Sequence, residues 1–117
     1  MNARDYQELA GRTLIDKPDF QITDADVMIV WNALGLAGEA GEVVDLVKKG
    51  VMHQHGLDRE KLIKELGDVC WYVAALCTKL GVGLDEVMQA NVDKLKARYP
   101  AGYSSEASKQ RRDYEHG

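Results

Sequence analysis

The chain has 117 residues, 45% of them apolar and 29% charged, and carries a formal net charge of −4. That length holds one small core and not two. The acidic balance argues against a general binder of nucleic acid or anionic membrane, but leaves room for a small phosphorylated ligand read by a few local residues. No apolar run approaches the length that spans a bilayer, and the start MNARDYQELAGRT is polar rather than signal-like. The expected location is therefore the cytoplasm, with no membrane partner. The two cysteines, Cys70 and Cys77, lie two helical turns apart. That is about 10 Å of helix rise, too far for a disulfide, so packed thiols in a reducing compartment are expected.

Only two prolines punctuate the chain, which favours helices over many short strands. The spacing predicts a first helix from Asn2 to about Leu14, with Tyr6, Leu9, Ala10 and Thr13 on one face. Pro18 breaks the chain after it. Thr23 begins T-D-A-D, a weak capping-box-like start, and a second helix runs from Asp24 to about Lys49. Gly50 and the loop VMHQHG end that helix. Asp58 is the expected N-cap of a third helix, with Glu60 in its first turn, where the macrodipole favours negative charge. This helix reaches Leu80 and stops at Gly81. A fourth covers Leu84 to about Tyr99, ended by Pro100 and Gly102. The expected fold class is all-α, an antiparallel four-helix bundle. Residues 1–103 form a single domain in this reading and 104–117 a polar C-terminal tail.

The segment LGLAGEAGEVVDLVKKG, residues 34–50, sets two carboxylates among small apolar residues, where desolvating charge is costly. On a wheel advancing about 100° per residue, Met28, Asn32, Leu36, Val43 and Leu46 share the face of Glu39. Glu42 stands about 60° to one side. The third helix repeats the pattern: Leu62, Leu66, Val69, Val73, Leu76 and Leu80 make an apolar stripe, bordered by Glu65 and Asp68. If the two helices are neighbours, four carboxylates converge. Like charges so placed either take up protons or are neutralised by a cation. Oxygen-only donors suit Mg²⁺, Mn²⁺ or Ca²⁺. Taken singly, an acid-x-x-acid pair is common on a solvated helix face; two pairs directed inward are not. His53 and His55 fall in a loop and His116 in the tail, where solvent exposure is the ordinary outcome.

GLAGEAGEVVDLVKK, then KELGDVCWYVAAL, then NVDKLKARYPAGY resemble the MazG-like branch of the all-α nucleoside triphosphate pyrophosphohydrolases. The hallmark of that family is E-x-x-E on one helix and E-x-x-D on the next, here Glu39, Glu42, Glu65 and Asp68. The resemblance covers about residues 5–103. It implies Mg²⁺-dependent hydrolysis (Mn²⁺ as a substitute) of a nucleoside or deoxynucleoside triphosphate to the monophosphate and pyrophosphate. The four carboxylates would be the metal ligands, with Glu39 and Glu42 also the catalytic candidates. Many members double the first glutamate, whereas this chain has Gly38 there, so Glu39 or Glu42 orients the water or the metals suffice.

Asn91 and Lys94 match the family's N-x-x-K-L before R-Y-P, which implies substrate contacts; a polar helix position and a surface lysine are the bland alternatives. Tyr72 either stacks on a base or packs near the core. Lys48, Lys49 and Arg98 either meet phosphates or are solvated cations at helix ends. Trp31 and Trp71 fall off the main stripes, which suits a subunit interface or a base-stacking wall. With the small core, they lead to an expected homodimer or homotetramer. Lys109, Arg111 and Arg112 in the tail are then placed to reach over a site. The competing reading is a non-catalytic helical interaction or regulatory subunit with a divalent ion as a structural clip. Inward carboxylates weigh against it, since apolar replacements would stabilise a pure scaffold.

Overall fold

Side-chain caps explain where the helices begin. In the computed structural model, which describes residues 1–103 and 105–110, Asn2 Oδ1 accepts from the Asp5 amide at 2.9 Å and opens α1 (Ala3–Gly11). Thr23 Oγ1 accepts from the Asp26 amide at 3.1 Å and opens α2 (Asp24–Val47). Asp58 Oδ1 accepts from the Lys61 amide at 3.0 Å at the start of α3 (Arg59–Leu80). Each cap satisfies an amide that a helix start leaves without a partner. Gly81 ends α3 at φ 71°, the left-handed conformation that glycine adopts without a Cβ clash. α4 (Leu84–Arg98) follows after a short link, and α5 (Ser105–Gln110) is a brief addition in the segment expected to be tail. The fold is all-α, with four principal helices and no β-strand among the described residues.

The end of the second helix differs from expectation. At Lys48 the coil widens into a π-helical turn, Lys48–Met52, in which the His53 amide reaches back to the Lys48 carbonyl at 3.2 Å. The His55 and Gly56 amides bond to Lys49 and Gly50 carbonyls, also at 3.2 Å, so the carbonyls orphaned at the helix end are met by the returning loop. Gly50 is needed there, because a Cβ would stand 3.0 Å from the Leu57 Cα and 3.1 Å from the Gly56 carbonyl oxygen.

The expectation that no segment approaches spanning length is corrected. Asp24–Met52 is one continuous helical run of 29 residues, long and apolar enough to cross a membrane by length and composition. The expected helix already ran from Asp24 to about Lys49, so what was missed is the mean hydropathy of the stretch and not its length. Glu39 and Glu42 lie within this run, and ionised carboxylates are costly in hydrocarbon.

α2 and α3 form the one extensive helix pair among the described residues. Their faces match the periodic pattern. Leu36, Glu39, Val43 and Leu46 on α2, and Leu62, Glu65, Val69, Val73 and Leu76 on α3, are all partly covered. The helices pack closely at Gly35, where an added Cβ would overlap the Tyr72 ring, 2.8 Å from Cδ1 and nearer still to Cε1 and Cζ. Gly35→Ala is therefore expected to lower the melting temperature, although alanine is the better helix former by ~1 kcal/mol. Forcing the ring aside costs ~1–3 kcal/mol. Thermal melts followed by circular dichroism check the sign; a gain in stability would mean that Tyr72 does not pack on this backbone.

Little else is covered within one chain. Asn32 and Cys77 are the buried residues among those described, and Cys70, expected to pack, is exposed. It lies two helical turns before the buried Cys77 and so on nearly the same side of α3, a side that a single chain covers at Cys77 and leaves open at Cys70. The radius of gyration is 20.4 Å, against about 13 Å for a compact domain of this length.

Candidate metal centre

Periodicity on α2 and α3 brings the acidic side chains together. Glu39 comes from the middle of α2, and Glu65 and Asp68 lie one turn apart on α3. Carboxylate oxygens of these three residues all lie within 4.8 Å of one another, with Glu39 and Glu65 half-buried and Asp68 exposed. Glu42 is exposed, one turn farther along α2, and stands outside that close group. Its charge is still felt at Glu39.

The electrostatics are those of a site short of positive charge. The Glu39 pKa is raised above the ordinary glutamate value, first by a proton shared with the Glu65 carboxylate. Desolvation adds to this, followed by the charges of Asp68, Glu65 and Glu42. A divalent cation meets the same need. The donors are all hard carboxylate oxygens, and no histidine or cysteine joins the group among the described residues, so the set fits an oxygen-seeking divalent ion.

A pH effect follows, with its sign set by the direction of that shift. A folded-state pKa above the unfolded value means that folding favours protonated Glu39. Its stabilisation is complete below the ordinary glutamate range and is lost as pH rises through the raised value. The metal-free protein is thus expected to melt at higher temperature in mild acid than at neutral pH as far as this group contributes. Millimolar Mg²⁺ should flatten the dependence, since ligands that bind only the folded state stabilise it. Melts of the wild type and Glu39→Gln with and without chelator measure this. An identical pH slope in the two chelated proteins would contradict it.

Glu39 and Asp68 share an open cavity of about 350 Å³ with Trp71 and Tyr72. The two rings meet edge to face, centroids 5.0 Å apart at 85°, so Tyr72 both packs on Gly35 and borders the acidic group. Asn91 and Lys94 are exposed on α4 and do not line this cavity. Lys49 pairs with Asp45 at 2.9 Å (Nζ to Oδ2), which lowers the aspartate pKa and raises that of the lysine. Arg98 lies 6.0 Å from the centroid of the Tyr99 ring. His53 and His55 are exposed, with ring centroids 6.0 Å apart in their loop. Lys109 is exposed on α5, whereas Arg111 and Arg112 lie outside the described residues.

A residue that periodicity placed on the inner face without a role is Asn32. It is 5% exposed, and its Nδ2 donates to the Met28 carbonyl oxygen at 2.8 Å. The signal was in the sequence as a lone carboxamide on an apolar stripe.

Residues 31–103 match the family model of the MazG nucleotide pyrophosphohydrolase domain. The chain is 40% identical over 101 residues to the gene 37 protein of Mycobacterium phage L5, covering 83% of this chain and 88% of that protein. No solved structure matches significantly.

Proposed function

Since the chain belongs to the MazG nucleotide pyrophosphohydrolase family, we propose that it hydrolyses a nucleoside or deoxynucleoside triphosphate to the monophosphate and pyrophosphate with Mg²⁺, for which Mn²⁺ can substitute. The observation that carries this reading is the meeting of Glu39, Glu65 and Asp68 from two neighbouring helices beside an aromatic-walled cavity. These three residues, with Glu42, are the proposed metal ligands. A divalent ion bound there neutralises phosphate charge and makes water more acidic. Glu42, outside the close group, is the carboxylate best placed to accept a proton from the attacking water; Glu39 holds the ion. Tyr72 and Trp71 limit water on one side of the reacting phosphates.

The same protein is proposed to act as a homodimer or homotetramer. Its accessible surface is 9901 Å², against about 6,300 Å² for a compact monomer of this mass. The excess is larger than one partner's share of an ordinary interface, about 800 Å². A second copy on α2 and α3 would supply the rest of the bundle. Asn91 and Lys94, which do not line their own chain's acidic cavity, would then meet substrate across the interface.

The test is product analysis. With Mg²⁺ and a panel of ribo- and deoxynucleoside triphosphates, monophosphate and pyrophosphate should appear in equal amounts. Release of orthophosphate alone, or no hydrolysis of any member, would overturn the assignment.

A further inference from the structure

A second cavity opens beside the acidic one. It encloses about 420 Å³ and is lined by Met28, Asn32, Trp71, Ala74, Ala75, Thr78 and Lys79. Trp71 lines both cavities, so the two adjoin at this residue. The volume falls in the ordinary range for small-molecule sites, about 300–1,000 Å³.

The walls are apolar except at a few points. The Thr78 hydroxyl is committed to the Ala74 carbonyl at 3.1 Å. Asn32 is different. One N–H of its carboxamide is held by the Met28 carbonyl oxygen at 2.8 Å, which leaves an N–H and the Oδ1 without a partner among the described residues. The side chain is nine-tenths buried, yet none of its polar atoms is both sealed from solvent and unbonded. The open space it meets is this cavity. One of the three polar groups of this carboxamide is engaged, so an N–H and the Oδ1 are left to meet a ligand in that space.

We infer that this second cavity is the nucleobase pocket, with Trp71 as the stacking wall and the Asn32 carboxamide as the group that reads the base edge. The inference rests on the proposed triphosphate hydrolysis. Along α2, Asn32 lies seven residues before Glu39, about 10.5 Å by helix rise. A nucleotide laid along the groove puts its phosphates at Glu39 and Asp68, its sugar past Trp71 and its base at Asn32. A remaining donor beside an acceptor is the pattern a carboxamide uses for bidentate pairing with a base edge. An exposed indole (Trp71, 62% accessible) offers the π-face for stacking.

The test compares wild type, Asn32→Leu and Trp71→Ala, the last at an exposed position where loss of the ring leaves the fold intact. Calorimetry with Mg²⁺ uses the four common nucleoside triphosphates as α,β-methylene analogues, and inorganic tripolyphosphate as a probe with phosphates but no base. Wild type is expected to favour one base by about tenfold or more, the equivalent of one or two hydrogen bonds. Asn32→Leu should level that preference and leave tripolyphosphate binding unchanged, and Trp71→Ala should weaken all four analogues by a larger factor than it weakens tripolyphosphate. Preference retained in Asn32→Leu, a wild type indifferent to the base, or an equal loss for tripolyphosphate would overturn the pocket assignment alone. A wild type that binds neither nucleotide nor tripolyphosphate would overturn the pocket and the proposed hydrolysis together.

Discussion

Glu39→Gln or Asp68→Asn is expected to abolish turnover while leaving the helical content of the protein unchanged. Each substitution keeps the shape of the side chain and removes one charge from a group whose oxygens lie within 4.8 Å of one another. Losing an outer-shell partner of a metal ligand typically costs 10–100-fold in affinity or activity; losing the carboxylate itself should cost more. The apo variants should be no less stable than wild type: besides the Glu65 hydrogen bond and desolvation, neighbouring carboxylate charges raise the Glu39 pKa, and each substitution removes one charge from that group. Circular dichroism, melts and pyrophosphate release at saturating Mg²⁺ separate the two effects. Wild-type kcat in both variants would remove these residues from the site. Glu42→Gln is the informative third member: it should lower kcat more than it weakens Mg²⁺ binding if its carboxylate takes the proton.

The second large effect concerns the face that one chain leaves open. Ile22, Val27, Val30, Trp31 and Leu34 line an almost wholly apolar hollow on α2 and the segment before it, and Leu34 is 68% accessible. If the proposed homo-oligomer forms through this face, Leu34→Glu is expected to dissociate it and to broaden or abolish its cooperative melting. Burying a leucine is worth ~1.5–3 kcal/mol, and a two-fold axis counts the loss twice. A carboxylate placed in the interface adds its own desolvation cost. On a stable monomer the same change would be near neutral, as exposed substitutions usually are. Light scattering and melts at two protein concentrations decide this. A wild type that is monomeric at micromolar concentration, or a Leu34→Glu protein with unaltered mass and melting, would contradict the assembly.

What could be read from the sequence was what local physics determines. Thr23, Asp58 and Gly81 mark helix ends through hydrogen bonds and φ values that involve only near neighbours. The inward face of α2 was legible because a period near 3.6 survives in Leu36, Glu39, Val43 and Leu46. That pattern put Glu42 about 60° to one side and among four converging carboxylates, whereas the structure gathers Glu39, Glu65 and Asp68 and leaves Glu42 exposed outside them. The small residues of α2 signalled a close approach, but nothing local says that Tyr72 is what approaches Gly35. The π turn at Lys48–Met52 depends on carbonyls captured by the returning loop, and α5 sits in a segment whose composition carries no periodic stripe. The largest gap is in α1 and α4. Their spacing suggested membership of one closed bundle, whereas within a single chain α1 has no extensive packing partner and α4 has only modest contact with α3. Amphipathic periodicity says that a face must be covered and is silent on which chain covers it.

The central claim is that the Glu39–Glu65–Asp68 group binds the triphosphate through a divalent ion, and calorimetry with a non-hydrolysable nucleoside triphosphate tests it most directly. In Mg²⁺ the wild type should bind the analogue, in excess chelator the binding should collapse, and Asp68→Asn should behave in Mg²⁺ as the wild type does in chelator. Equal affinity with and without divalent ions would contradict the account.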